Sequence, residues 1–436
     1  MKVCLISPPF PFSGRVPMVP PILEYLGALT LQTRPDIELQ LIDANVRVLQ
    51  PEGINADLVG ISCMTATVTW AYRFADRLRA MGVKVVLGGI HPTALPEEAA
   101  AHADAVVTGE AESIWADVLK DAQRNALRKF YHGARLGLAD IPMPLAGHVT
   151  GPYKFRAVFT ARGCPYRCSF CSVRKFFGDS IRYRPIDQVV KEVETCCGRV
   201  YFNGDDNIWG GDSQRSIELF SELARGSKKY WYGFGDLKAP QGREGERLLA
   251  TARAAGLFSV WAGWETSSPD GLRRYQAAAK QGANREDAIK RLKHHGIDVV
   301  LFMVLGGRQD SLADFERALE TAARLGVGVH PVLLTPLPGT ELYDEYRPYL
   351  LKERGWEYYT GVHAVFEHPD PAMTPAVRER KFYETSLELL SLPRILRHLF
   401  EIPLAGLPMT HLLSLMKQLP VRRAMQKAYA QWQSCH

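Results

Sequence analysis

Short β-branched runs alternate with helix-period stretches twice along this chain, first from residue 2 to 124 and again from residue 155 onward. Strands separated by helices do not pair as hairpins, so each half is constrained to a parallel sheet covered by helices. Ligands of such sheets collect at the carboxyl ends of the strands. In the first half, strands are expected over 2–7, 38–42, 58–62, 84–87 and 105–108, with helices over 68–81 and 110–124. Their tips read Ser62-Cys63-Met64-Thr65, Gly88-Gly89-Ile90-His91-Pro92-Thr93 and Gly109-Glu110. Glycine and small polar residues at tips let backbone approach a large ligand closely. The first strand runs into Pro8-Pro9-Phe10-Pro11 rather than G-x-G-x-x-G, so a dinucleotide site is not expected.

A Gly-, Pro- and Ala-rich linker over 133–153 leads to a second series, with strands expected over 155–160, 199–203, 229–234, 258–263, 297–304 and 328–334. Six βα units are too few for an eight-fold barrel and fit an open (βα)6 barrel. The expected organisation is an α/β chain with a five-stranded, doubly wound Rossmann-like domain over 1–132 and a partial barrel over 154–345. A mostly helical region follows over 346–436, where Pro393, Pro403, Pro408 and Pro420 are expected to limit each helix to two or three turns.

With 436 residues, 46% hydrophobic and 23% charged, the chain buries sizeable cores without disulfide support. No apolar run approaches the ~20 residues of a membrane span. The N-terminal MKVCLISPPF is too short for a secretory signal, so a cytoplasmic address is expected. A net charge of +6 is mild and argues against a nucleic-acid partner. It is concentrated at the end, where Arg394, Arg397, Lys417, Arg422, Arg423 and Lys427 stand against Glu401 alone after Ser391. Such a basic, apolar tail fits either a helical cap on the barrel or peripheral contact with an anionic membrane.

Three of the eight cysteines, Cys164, Cys168 and Cys171, form C-x-x-x-C-x-x-C directly after the first strand of the second half. Three thiolates on one loop hold three irons of a [4Fe–4S] cluster and leave the fourth open to a ligand. A structural zinc knot wants four ligands, and no His or second Cys pair stands nearby. A redox C-x-x-C leaves Cys164 unexplained. Cys4 and Cys63 read as core residues and Cys435 as a terminal thiol, while Cys196-Cys197 ends a helix.

Cys164, Cys168, Cys171 and the aromatic Phe170 resemble the signature of the radical S-adenosylmethionine superfamily, and the resemblance extends from residue 155 to about 343. It implies a [4Fe–4S] cluster and S-adenosylmethionine, the latter bound by Phe170, Gly204, Asp205, Asp206, Glu265, Val304 and Leu337. Asp205 and Asp206 lie in the segment that receives the amino group. Gly263-Trp264-Glu265-Thr266 is similar to the family's Gly-x-Glu-Ser, which assigns Glu265 to the ribose or amino end. The first half resembles the cobalamin-binding module found before such barrels, which assigns Pro8, Ser62, Met64, Thr65, Gly88, Gly89, His91, Pro92, Gly109 and Glu110 to cobalamin. The Asp-x-His-x-x-Gly of many cobalamin proteins is absent, so the lower face of cobalt is expected to lack a histidine; a degenerate domain that binds nothing is the bland alternative. His91 is expected to bond locally or to touch the corrin edge.

The resemblance implies a methyltransferase in which a 5′-deoxyadenosyl radical abstracts hydrogen from an unactivated carbon and methylcobalamin supplies the methyl group. Radical cyclisation, rearrangement or oxidation is the alternative, and a non-catalytic carrier is a third reading. A small-molecule substrate, apolar or lipid-like by resemblance, and an external electron donor of flavodoxin or ferredoxin type complete the expectation.

Overall fold

The structure, a computed structural model, describes residues 1–11, 18–401 and 408–435. Strands β1 (Lys2–Ser7), β2 (Glu38–Asp43), β3 (Leu58–Ser62), β4 (Lys84–Gly88), β5 (Ala105–Gly109) and β6 (Phe130–Gly133) form one parallel sheet in the order β2-β1-β3-β4-β5-β6. The five expected strands are present, and the sixth corrects the count. Its four residues, Phe-Tyr-His-Gly, are too short for an alternation to show, and they abut the glycine-rich linker; pairing with Val106–Gly109 is what makes them a strand. Chain order reverses between β1 and β3, which places Pro8 and Ser62 at the topological switch point of the sheet.

The linker lies along this domain. Val149 and Tyr153 pack into its core, and the Tyr153 hydroxyl donates to Asp43 Oδ2 at 2.9 Å.

Strands β7 (Ala157–Val158), β10 (Val200–Asn203), β11 (Tyr230–Gly235), β12 (Leu257–Glu265), β13 (Asp298–Leu305) and β14 (Gly328–Leu333) form the second sheet, parallel throughout and in that order. Between β7 and β10, the pair β8 (Ala161–Arg162) and β9 (Arg182–Tyr183) runs antiparallel outside the sheet. The helices cover one face through Tyr201, Trp231, Val260 and Leu301, packed with Val193, Phe220, Leu248 and Leu292. On the opposite, inner face lies a continuous layer of rings. Phe234 meets Phe202, Trp261 and Phe302 at 5.9, 5.4 and 5.4 Å, and Phe302 meets His330 at 4.7 Å.

The C-terminal region closes the amino-terminal end of this barrel. Asp298, fully buried at the start of β13, accepts from Ser259 and from Ser414 of the helix Pro408–Gln433, and lies 2.6 Å from His398 Nε2 of the helix Leu392–Glu401. Leu413 packs beside Tyr230, Tyr232 and Phe258. A correction concerns proline. The helix Pro408–Gln433 runs 26 residues through Pro420. Pro420 is exposed, so water replaces the hydrogen bond it removes, and Met425, Tyr429 and Trp432 hold the second half against the barrel core. Pro403 lies outside the described residues, as does the stretch 12–17 within the histidine-free loop after β1.

Candidate active site

The cysteine loop leaves β8 at Gly163, whose φ of 97° is a left-handed conformation that favours glycine. Asp205, buried at the end of β10, shapes the approach to it. Its Oδ1 accepts from Thr160 N at 2.6 Å and Ala161 N at 3.0 Å, and its Oδ2 from the Thr160 hydroxyl. These bonds turn the chain out of the sheet after Val158, which is why the strand expected over 155–160 keeps only two residues. Asp206 Oδ2 accepts from Gly163 N at 3.1 Å, one residue before Cys164. Farther on, Ser169 N donates to Tyr275 O and Leu342 N to Ser169 O, both at 3.0 Å. The loop is tied to segments that follow three different strands, β10, β12 and β14.

All three thiols are partly buried, and burial pushes Cys164 up to about 12 and Cys171 to about 11 and raises Cys168. Without metal they are held as thiols, so iron must displace protons to bind. Among the described residues, no three His, Cys, Asp or Glu side chains converge on a single metal ion. A zinc knot wants four protein ligands, whereas a cluster open at one iron wants the three thiols that this loop supplies.

Cys168, Phe170, Val304 and Leu337 gather in one apolar cluster with Tyr275 and Leu334, and the Phe170 and Tyr275 rings meet edge-on at 5.7 Å. Gly204 lies under the Phe159 ring, where an added Cβ would sit 2.7 Å from a ring carbon. Glu265, the last residue of β12, has a φ of 62°, uncommon for a residue with a side chain. It is ion-paired with Lys280, a residue sequence reasoning missed. The available signal was a lone lysine in a short run of small residues, Ala277-Ala278-Ala279-Lys280-Gln281-Gly282, where a solvated helix face has no room to form.

The cobalamin residues divide into two sets. Gly89 has a φ of 101° and an added Cβ would meet Cys63 O at 2.6 Å, so the close approach expected of glycine is real there. Pro8, Ser62, Met64, Gly88, Pro92 and Gly109 stand at the tips of β1, β3, β4 and β5, with Met64 exposed. Thr65, His91 and Glu110 are engaged inward instead. His91 is fully buried, with Nδ1 3.3 Å from Thr65 Oγ1 and Nε2 3.1 Å from Glu98 Oε1, and its ring lies 5.0 Å from Trp356. Of the two expectations for His91, these contacts are the local bonding. Glu110, 3% exposed, accepts from Arg162 Nη1 at 2.8 Å and from both terminal nitrogens of Arg182. The Glu110 carboxylate is thereby saturated by the hairpin that carries the cysteine loop, and it acts as a clasp between the domains. Asp205 likewise positions backbone, Oδ1 accepting two hydrogen bonds and Oδ2 one, and Asp206 and Glu265 are the other carboxylates at the loop.

The first-domain tips therefore face the mouth of the barrel. Trp356 Nε1 donates to Glu98 and the Thr69 hydroxyl to Glu357, while Gly339, beyond β14, sits against Ala94. Comparison with known proteins bears on this pairing of domains. Residues 28–119 match the B12 binding domain family and residues 158–322 the Radical SAM superfamily. The bacteriochlorophyllide d C-12(1)-methyltransferase of Chlorobaculum tepidum is 30% identical over 332 residues, covering 71% of this chain and 70% of its own. The chain belongs to the cobalamin-dependent radical S-adenosylmethionine enzymes. A second relative of this radical-SAM enzyme, the bacteriochlorophyllide d C-8(2)-methyltransferase of the same organism, is 28% identical and covers 78% of the chain and 80% of its own. Among solved structures, the cobalamin-dependent radical enzyme OxsB, with aqua-cobalamin and S-adenosylmethionine bound, superposes with a TM-score of 0.71 at 14% identity, covering 97% of this chain and 71% of its own. The methyltransferase TsrM from Kitasatospora setae, with cobalamin and a [4Fe–4S] cluster bound, gives 0.64 at 17% identity, with 89% and 88% covered. The cobalamin-dependent radical-SAM enzyme thus has the fold, the cofactors and the methyltransferase relatives expected from its sequence.

Proposed function

We propose that this enzyme methylates an unactivated carbon on a planar, conjugated substrate of the chlorophyll-type tetrapyrrole class. The observation that carries the reading is the inner face of the barrel, where Phe202, Phe234, Trp261 and Phe302 form one ring-lined surface. Aromatic rings offer large contact areas and stacking geometry to a flat ligand. The two bacteriochlorophyllide methyltransferases among the relatives point to the same chemical class. When bound, the cluster with S-adenosylmethionine supplies a carbon radical on the substrate, and cobalamin supplies the methyl group that it takes up. The protein's part is placement. The Glu110 clasp sets the distance between the cobalamin tips and the cysteine loop, and the C-terminal helices keep water from the lower end of the barrel. An external flavodoxin- or ferredoxin-type protein is the proposed source of electrons.

Anaerobic reconstitution with cobalamin, S-adenosylmethionine and a chlorophyllide-type substrate, followed by mass spectrometry, tests the reading. One methylene added per turnover is expected. A product that has lost hydrogens at unchanged carbon count would move the enzyme to the cyclisation alternative; a relative named for such a reaction, the anaerobic magnesium-protoporphyrin IX monomethyl ester cyclase of Rubrivivax gelatinosus, is 25% identical over 346 residues.

Cobalamin is proposed to bind without a protein imidazole on cobalt, since the loop after β1 carries no histidine and both nitrogens of His91 are engaged. The bound cofactor should show the base-off absorption spectrum. Nitrogen hyperfine coupling from a histidine in reduced cob(II)alamin would overturn this.

The tail is proposed to act as a cap rather than a membrane foot, because His398, Leu413 and Ser414 are committed to the barrel. No described helix is long and apolar enough to cross a membrane. Truncation after Ser391 should expose Asp298 and the inner rings and cause aggregation, while the intact chain should not sediment with anionic liposomes. Salt-sensitive co-sedimentation of the intact chain would restore the membrane reading.

A further inference from the structure

From Thr160 to Pro185 the chain carries six cations, Arg162, Arg167, Arg174, Lys175, Arg182 and Arg184, against Asp179 alone. Outside this segment and the C-terminal tail the chain is net negative. Three of the six face inward: Arg162 and Arg182 pair with Glu110, and Arg184 with Glu192. The other three face solvent. Arg167, between Cys164 and Cys168, and Lys175, on the short helix Val173–Phe177 after Cys171, are exposed, and the Arg174 side chain is 34% exposed.

The linker adds a fourth cation. Gly178, with a φ of 88°, ends the short helix, and an added Cβ there would collide with the guanidinium of the exposed Arg135. Its neighbour Leu136 is an apolar side chain open to solvent, fixed by a carbonyl that accepts from Arg182 Nη1 at 2.7 Å. Arg174 takes two carboxylates at this face, Asp179 and, at 3.4 Å, Glu341. Its hydrogen bond holds Asp179 below the usual carboxylate range, and the charges of Arg167 and Arg135 add to it, so three guanidinia bear on one spot. Arg135, Arg167 and Lys175 form no ion pair among the described residues.

Surface cations are commonly no more than a solvated face. These lie where the cysteine loop itself meets solvent, since Arg167 is exposed between two half-buried thiols. Electron tunnelling falls off exponentially with distance, so a protein that reduces the cluster must dock close to this loop. Interfaces between electron-transfer partners are small, and complementary charge sets their rate of encounter.

We infer that Arg135, Leu136, Arg167, Arg174 and Lys175 form the docking surface for the external electron carrier, a small protein with an acidic rim around its redox group. The inference rests on the proposed flavodoxin- or ferredoxin-type donor and gives it a place on this chain. One electron leaves the reduced carrier and enters the cluster, so the carrier is oxidised by one electron and the cluster reduced by one. The cations raise the carrier's local concentration and orient it, and salt screens the attraction.

The test uses the anaerobically reconstituted full chain with flavodoxin as the probe. Oxidised flavodoxin is titrated first, which reads binding without turnover. The double variant Arg135→Glu/Lys175→Glu should bind it roughly 10- to 100-fold more weakly at low salt and with a flatter salt dependence. Arg423→Glu/Lys427→Glu, an equal change of charge on exposed residues of the helix Pro408–Gln433, should bind like wild type. Carbodiimide should cross-link flavodoxin carboxylates to Lys175. Cleavage of S-adenosylmethionine driven by reduced flavodoxin should fall with the affinity, while cleavage driven by titanium(III) citrate should match wild type. Undiminished flavodoxin affinity, or an equal loss in the tail variant, would overturn the inference. So would an equal loss with titanium(III), which would make these cations tuners of the cluster, and so would failure of the wild type to bind flavodoxin. Iron content and cobalamin binding verify the fold. Should the double variant lose its cluster, Lys175→Gln takes its place, and loss from both would make the cations structural and overturn the inference. Methyl addition driven by titanium(III) is read separately, so failure of the docking surface is distinguishable from failure of the proposed function.

Discussion

Replacing Cys168 with alanine is expected to remove the brown iron–sulfur chromophore and all reductive cleavage of S-adenosylmethionine. The loop provides three thiols, and the spacing pairs no fourth cysteine with them. A cube held at three corners has no spare protein ligand, so losing one leaves two irons unanchored. Loss of the cluster removes the site at which S-adenosylmethionine is bound for reduction, and the effect on turnover should be complete. The fold is not expected to share this loss, because the loop remains tied through Ser169 to Tyr275 and Leu342. Far-ultraviolet circular dichroism and cobalamin binding should match wild type, and a full complement of iron in the variant would refute the ligand assignment.

Asp205→Ala is expected to be the most destabilising single change at the site, and Asp205→Asn nearly silent. Alanine strands the amides of Thr160 and Ala161 and the Thr160 hydroxyl in a buried turn, at a cost of about 2–4 kcal/mol. Asparagine keeps an oxygen for the two amides and presents its NH2 to the hydroxyl. The pair also isolates a pH effect. Burial, against the opposing bonds from Thr160 and Ala161, pushes the Asp205 carboxyl up to about 7 from an ordinary value of 3.8. A carboxyl raised in the folded state binds its proton more tightly there than in the unfolded chain. Its stabilising contribution is complete below about pH 4 and is lost as pH rises through about 7. Denaturant midpoints of wild type should therefore fall across that window relative to Asp205→Asn, with a difference in slope of about one proton. Parallel pH profiles for the two proteins would show that the carboxyl is not raised.

Which parts of this molecule were legible in sequence follows from the range of the interactions that make them. Cys164, Cys168 and Cys171 were legible because three ligands on one loop write their spacing directly into the chain. The tips of β4 and β5 were legible because Gly89 and Gly109 mark places where a side chain does not fit. Asp205 and Glu110 stood out as residues but not in their roles. Their partners, Thr160 and Arg162, are 45 and 52 residues away, and no local pattern tells a carboxylate that awaits a ligand from one already saturated. Lys280 was silent for the related reason that its significance is Glu265, 15 residues earlier across a strand end. Strand β6 and the passage of a helix through Pro420 failed for opposite reasons, one being too short to display a period and the other obeying a local rule that tertiary packing overrode.

Among the described residues, Asp298, His398 and Ser414 seal the lower end of the barrel. With its floor closed, the route in and out is the mouth that the first-domain tips overlook. S-adenosylmethionine, the substrate and the spent nucleoside would then share one doorway beside the first-domain tips, which would impose an order on their traffic. The molecule that reaches deepest would enter first and leave last, and an ordered pattern of product inhibition is the expected result.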